Sequence, residues 1–112
     1  MARGDIILAD LPVPSGGKGH EQTGQRPTLI VHDDPALSTV MVVPLTSRSG
    51  ALRFPHTVRV EPSKENGLDY PSILVVFQLR AIDRRRLRRK IGRLERDLLE
   101  DVDSELRRML SL

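Results

Sequence analysis

The sequence predicts a mainly β protein with a C-terminal helix, and three observations carry that prediction. Short runs rich in Val, Ile and Leu recur between Gly, Pro and Asp breakers until about residue 79. Near the end, apolar residues recur at three- and four-residue spacing on an otherwise charged stretch. At 112 residues, 38% apolar and 29% charged, the chain is long enough for one core and too short for two, so 1–112 reads as a single domain. Strands first and a helix last argue for a small antiparallel barrel with helical additions.

The elements follow in order. Asp5 to Leu11 reads as a first strand, bounded by Gly4 and by Pro12 and Pro14. A long glycine-rich loop follows to Gln25, and loops of that length are usually functional or mobile. Pro27 to His32 is a second strand, whose unbroken apolar run suits burial on both faces, and Asp33-Asp34-Pro35 ends it in a turn. Ser38 to Leu45 is a third, β-branched strand, where Pro44 marks an edge or bulge. His56 to Glu61 alternates, setting His56, Val58 and Val60 against Thr57, Arg59 and Glu61. Pro62 to Gly67 turns the chain, and Ser72 to Leu79 is the fifth and most apolar strand, with Phe77 in its core. Asp83 then caps a short helix from Arg84 to about Lys90, interrupted by Gly92. The last helix spans about Glu95 to Leu110, with Leu98, Val102, Leu106 and Met109 or Leu110 forming its core-facing stripe.

Composition removes several function classes. Cysteine is absent, which excludes disulfides, thiolate metal sites and a cysteine nucleophile. The apolar start at Ile6 is too short for a signal segment and no run approaches a membrane span, so the expected location is the cytoplasm. Phe54, Tyr70 and Phe77 are the three aromatic residues, too few for an extended base-stacking platform. Arg84, Arg85, Arg86, Arg88, Arg89 and Lys90 put six cations into seven positions. Such a cluster either binds a polyanion by counterion release or forms a solvated turn near acidic side chains.

The most informative stretch runs from Gly16 to Pro27. A polar, glycine-rich loop ends in Arg26, which Pro27 holds in an extended conformation, and a strand follows at once. A fork-shaped, permanently charged donor fixed at a loop-to-strand junction suits a phosphate. The loop is no phosphate-binding P-loop, because Lys18 is followed by Gly19 and the segment leads into a strand. The dinucleotide fingerprint fails for want of a helix N-terminus. His20, His32 and His56 have no metal-ligand spacing, and His32 reads as a structural histidine at a strand end. No nucleophile-elbow sequence exists. What remains is Arg26, Thr46, Ser47 and His20, all in or beside loops. Metal-free RNA cleavage needs a proton acceptor, a proton donor for the departing oxygen and donors for developing negative charge. An arginine with a hydroxyl beside it can supply the last of these, and His20 can handle a proton near neutral pH.

The order of these pieces resembles the MazF/PemK (Kid-like) toxins of type II toxin–antitoxin systems. The matching blocks are Arg3-Gly4-Asp5-Ile6, Gly19-His20-Glu21-Gln22 with Gly24 and Arg26-Pro27, and Val43-Pro44-Leu45-Thr46-Ser47. Phe54-Pro55-His56-Thr57-Val58 and Gln78-Leu79-Arg80-Ala81-Ile82-Asp83 follow, so the match covers nearly the whole chain. The resemblance implies the SH3-like antiparallel barrel of MazF-, PemK- and CcdB-like toxins. It also implies a homodimeric endoribonuclease that cuts single-stranded RNA at short sequences without metal or other cofactor. Arg26 becomes the main catalytic arginine, Thr46 its partner at the scissile phosphate and His20 an acid–base candidate. Glu21, Gln22, Ser47, Phe54, Thr57 and Gln78 become RNA contacts. The implied partner is an antitoxin whose acidic and apolar tail covers the RNA groove. Where many members carry an acid before the glutamine and some an arginine two residues earlier, this chain has Phe77 and Val75. That leaves His20, Arg26 itself or a water as proton acceptor, and it keeps open a non-catalytic toxin on the same barrel that binds a protein such as DNA gyrase.

Overall fold

The computed structural model describes residues 1–11 and 25–112. The readings made on His20, Glu21, Gln22 and the rest of the 12–24 loop lie outside the described residues. Among the described residues, seven strands precede one α-helix: β1 (Asp5–Asp10), β2 (Gln25–His32), β3 (Thr39–Thr46), β4 (Thr57–Val60), β5 (Ser72–Val75), β6 (Arg80–Asp83), β7 (Leu87–Arg93) and α1 (Arg96–Leu110). The strands run in the order β4-β5-β3-β2-β1-β7, with β6 also on β3. Every pairing is antiparallel.

β3 is the pivot. Its first half, Thr39 to Val42, pairs with β6, whereas Leu45 and Thr46 pair with Leu74 and Ile73 of β5. Pro44, which has no N–H for a ladder, sits between the two partner segments. It therefore marks a change of partner inside a central strand rather than a sheet edge. β6 and β7 form opposite edges of the path β6-β3-β2-β1-β7, yet only the three-residue 3₁₀ turn Arg84–Arg86 joins them. The sheet must therefore coil on itself. Its inner face closes over Ile7, Ala9, Ile30, Val40, Val42 and Ile82. No β6–β7 ladder forms among the described residues, so the barrel stays open.

The other face carries the larger core. Ile6, Leu29, Val31, Val43 and Leu45 pack with Val58, Val60 and Leu74 and with Val102 of α1. Each such fully buried side chain contributes about 1.5–3 kcal/mol. Leu98, Leu106 and Met109 pack on the same cluster, while Leu110 is exposed, so Met109 completes the helical stripe. Alternation places Val58 and Val60 inside and Arg59 outside, as the pattern requires.

Two readings need correction. The run from Ser72 to Leu79 is not one strand: β5 stops at Val75, a 3₁₀ turn covers Val76–Gln78, and β6 starts at Arg80. The residues from Arg84 to Lys90 are not a helix. Asp83 does cap, its Oδ1 accepting from the Arg85 N–H at 2.8 Å, but the helix ends after one 3₁₀ turn and β7 begins. A helix would stack like charges at three- and four-residue spacing. The strand instead hands alternate cations to opposite faces and satisfies the free edge of β1. Gly92 sits where an added Cβ would lie 2.4 Å from the Asn66 backbone, so it serves close approach rather than helix breaking.

The β4–β5 connection is pinned from within. Asn66 is fully buried, accepts from the Ser63 and Leu68 N–H groups at 3.0 Å and donates to the Glu61 carbonyl at 2.8 Å. Glu95, just before α1, accepts from the Ser63 hydroxyl at 2.8 Å and from the Asn66 amide at 3.2 Å. Gly67 has φ +71°, and a Cβ there would lie 2.0 Å from the Ile91 carbonyl oxygen. Among the described residues, no helix is long and apolar enough to cross a membrane.

Candidate active site

The sheet places Arg26 and Thr46 on neighbouring strands. β2 and β3 pair through Thr28 and Pro44, and two residues further along each strand stand Arg26 and Thr46. Thr28 is fully buried and donates its hydroxyl to the Ile7 carbonyl at 2.9 Å, which fixes β2 against β1 just before the site. Arg26 and Thr46 both line an open groove of about 580 Å³. Its floor includes Leu8, Pro27, Leu45, Leu68 and Ile91; Ser47, Arg48, Asp69, Tyr70 and Arg89 stand around it. The Thr46 hydroxyl accepts from the Arg48 N–H at 3.2 Å, which orients its lone pair toward the turn and leaves its own proton to donate. Three guanidinium groups and one hydroxyl donor thus converge on a concave surface, the arrangement that holds a phosphate and the charge developing on it.

The basic cluster proves to be divided rather than pooled. Arg84 pairs with Asp33 at 2.6 Å and donates to the Asp34 and Leu37 carbonyls at 3.0 Å, closing the β2–β3 turn. Arg85 pairs with Asp83, and the guanidinium's hydrogen bond, aided by the Arg85 N–H, holds that carboxyl at about 2. Arg86 donates to the Asp10 carbonyl at 3.3 Å and Arg88 Nε to the Asp10 carboxylate at 2.7 Å. Lys90 and Arg93 share the buried Asp5, at 3.3 and 2.8 Å. Burial pushes the Asp5 carboxyl up, but the Ala2 N–H and these two cations outweigh it and leave it below the usual range. Arg89 has no carboxylate partner among the described residues, and it is the one member that reaches the groove. Both readings of the cluster are therefore partly replaced. Most of its charge is structural, and one arginine is available to an anion.

Phe54, Thr57 and Gln78, also expected as RNA contacts, do not line the groove. Phe54 and Phe77 form a tilted pair with centroids 5.6 Å apart, and the Arg53 guanidinium lies 4.9 Å over the Phe54 ring. The Thr57 hydroxyl donates to the Phe54 carbonyl at 3.2 Å, and Gln78 is exposed in the turn after β5. Phe77 is not core: it is 39% exposed, because the strand that would have buried it ends at Val75. Beside this pair, His56 has φ 59° and its Nδ1 lies 3.0 Å from Glu105 of α1. His32, read as a structural histidine, is exposed at the end of β2.

Arg48, Asp69, Tyr70 and Arg89 were not anticipated as site residues. Asn66-Gly67, a tight-turn pair, was the available signal for the loop carrying Asp69 and Tyr70. Arg89 was hidden inside a run of like residues. Among the described residues, no three His, Asp or Glu side chains gather as a metal-ligand set.

Fold and groove together define a small antiparallel β protein that presents arginines and a threonine at strand ends. Residues 2–110 match the family of PemK-like, MazF-like toxins of type II toxin–antitoxin systems, and the chain belongs to that family. It is 35% identical over 109 residues to the endoribonuclease MazF of Staphylococcus saprophyticus, covering 95% of this chain and 88% of that protein. The fold is similar to that of the Mycobacterium tuberculosis toxin MazF-mt6, with TM-score 0.71 and 26% identity over 96% of this chain and 97% of that one. It is also similar to MazF in a MazE–MazF complex from Deinococcus radiodurans, with TM-score 0.75 and 19% identity over 100% and 96% of the two chains.

Proposed function

We propose that this chain is a sequence-specific endoribonuclease toxin that cuts single-stranded RNA without a metal and is neutralised by a cognate antitoxin. The observation that carries the reading is the groove in which Arg26 and Thr46, from neighbouring strands, meet Arg48 and Arg89. Similarity to a protein named as an endoribonuclease supports the activity, and similarity to a MazF in a MazE–MazF complex supports the antitoxin. The active unit is a cytoplasmic homodimer, and an acidic, partly apolar antitoxin segment would neutralise the arginines by occupying the groove.

In the proposed reaction the 2′-oxygen attacks the adjacent phosphorus, the bond to the 5′-oxygen breaks, and the products are a 2′,3′-cyclic phosphate and a 5′-hydroxyl. Arg26 donates its fork to the non-bridging oxygens, and the Thr46 hydroxyl donates beside it, stabilising charge that grows in the transition state. The 2′-hydroxyl proton passes to His20 or to a water, since Arg26 in its charged form has no site to accept it, and a proton returns to the departing 5′-oxygen. Ser47 contacts the RNA next to Thr46, and Glu21, Gln22, Phe54, Thr57 and Gln78 extend the contact away from the reacting phosphate.

Arg26→Ala should lower cleavage about 10²–10³-fold with the fold intact, the usual effect of losing one preorganised donor. The check is single-turnover cleavage of an oligoribonucleotide alongside circular dichroism, and cutting at the wild-type rate overturns the assignment. Phe77, in the acid's place, supports a second reading, a non-catalytic toxin that binds a protein such as DNA gyrase. Stalled replication with no new 5′-hydroxyl RNA ends would favour it.

A further inference from the structure

The groove contains two side chains that a phosphate site does not require. Asp69 and Tyr70 stand on its rim, both exposed, on the connection between β4 and β5. A carboxylate repels a phosphate, so Asp69 works against the arginines unless it meets another part of the ligand. Tyr70 is 68% exposed although it is one of three aromatic residues in the chain. An aromatic ring left in water beside an anion groove has no role in the core.

Neither residue is loosely held. Leu68, immediately before them, is buried in the main core, and the hydroxyl of Ser72, two residues past Tyr70, donates to the Tyr70 carbonyl at 2.9 Å. Upstream, the buried Asn66 holds the Leu68 N–H, and Gly67 rests on the Ile91 carbonyl of β7. The rim is thus fixed to the same strand that supplies Arg89. A backbone held in this way costs little to order on binding, which leaves only the two side chains to be fixed by the ligand.

On the reading that the groove holds RNA, we infer that Tyr70 and Asp69 form its base-reading wall, Tyr70 stacking on one unpaired base and Asp69 selecting the edge of that base or its neighbour. Proteins read single-stranded RNA by stacking splayed bases on aromatic rings and hydrogen-bonding their edges. A carboxylate accepts from the exocyclic amino group of cytosine, adenine or guanine. Uracil offers one N–H between two carbonyl oxygens, which face the carboxylate with like partial charge. Asp69 therefore selects an amino-bearing base and rejects uracil at one position of the cut sequence.

The test is sequencing of 5′-hydroxyl ends from a randomised single-stranded RNA pool cut by wild type, Asp69→Asn, Tyr70→Ala and Tyr70→Phe. KM and kcat are then measured on the best wild-type sequence. Asp69→Asn, which adds a donor, should relax discrimination against uracil about ten-fold at one position and leave the others unchanged. Tyr70→Ala should raise KM about ten-fold with kcat within about two-fold, matching the loss of one stacked base, and Tyr70→Phe should restore it. An unchanged Asp69→Asn profile, or equal losses in the two Tyr70 variants, overturns the inference while Arg26-dependent cutting stands. Wild type that neither cuts the pool nor binds it overturns the groove reading, and this inference with it.

Discussion

Two exposed regions of this protein draw on similar residues and arrive at different surfaces. The groove gathers Arg26, Thr46, Arg48 and Arg89 over a shallow apolar floor, with Asp69 and Tyr70 on its rim. The second region, from the 3₁₀ turn Ser49–Arg53 to Gln78, presents Leu52, Phe54 and Phe77 with Arg53 against a ring. Both hold arginine and aromatic side chains. Only the groove combines concavity with several cations that have no carboxylate partner among the described residues, and those are the conditions for holding a phosphate. In the second region Arg53 is already engaged by Phe54, so the surface is closer to an apolar contact patch. Residue type suggests function, but what each charge already touches decides it.

The sharpest way to separate the regions is through their glycines. Gly67→Ala would put a methyl group 2.0 Å from the Ile91 carbonyl at a φ of +71°, so backbone on the groove side must move. A destabilisation of about 2–4 kcal/mol is expected from overpacking and left-handed strain together. Gly50, in the turn of the aromatic region, has open space around its Cα, and Gly50→Ala should change stability by no more than about 0.5 kcal/mol. Urea unfolding of the two variants measures both. Equal effects would mean that the groove wall is no more rigid than the aromatic turn.

Chemistry should divide the regions in the same way. Thr46→Val keeps the shape of the side chain and removes the donor, so single-turnover cleavage should fall about 10²-fold. Phe77→Ala should leave the cleavage step within about three-fold, because the ring lies outside the groove. Comparable losses at saturating RNA would return Phe77 to the reacting site.

How much of this was legible follows from where each residue's partner lies. The β4 alternation and the stripe ending at Met109 are local periodicities, and both are readable without knowing the fold. Arg26 was legible because its neighbour Pro27 sets its backbone. The strand at Leu87–Arg93 was not, because its partner β1 lies more than seventy residues away and Asp83 gives a genuine local cap signal. Arg89 could not be told from Arg88 without the bulged pairing that sends one to the groove and the other to Asp10. Phe77 was misplaced because an apolar run conceals the partner change that ends β5. That Phe54, Thr57 and Gln78 stand apart from the groove of Arg26 was hidden for a related reason: motif order carries no information about which face of the sheet a residue meets.

The division of the basic cluster gives a smaller effect. Arg89→Ala should reduce the slope of log affinity against log salt for single-stranded RNA by about 0.7, the loss of one phosphate contact. Arg85→Ala should leave that slope unchanged, since Arg85 is held by Asp83 on the exposed turn. Filter binding of an uncleavable 2′-deoxy analogue at several salt concentrations makes the measurement. Equal slopes for the two variants would mean that the cluster acts as one diffuse patch.

Acid should loosen the groove wall before the aromatic patch. Burial pushes the Glu95 carboxyl up, but the Ser63 hydroxyl, its own N–H and the Asn66 amide outweigh it, leaving it below the ordinary 4.5. A carboxyl lowered in the folded state binds protons more readily in the unfolded chain. The stability it contributes is therefore complete above about pH 4.5 and is lost as pH falls through the lower, folded value. Asp5, held below its ordinary 3.8, adds a loss in the same direction at slightly lower pH. Because Glu95 ties down Ser63 and Asn66, its protonation releases the loop that carries Asp69 and Tyr70. Glu95→Gln should lower stability modestly at pH 7 and flatten the decline between about pH 5 and 3, read as urea midpoints across that range. Hydrogen exchange at pH 4 should then rise at Leu68 and Asp69 before it rises at Phe77. Simultaneous exchange at the two regions would show that the Asn66 anchor does not set the local stability of the groove wall.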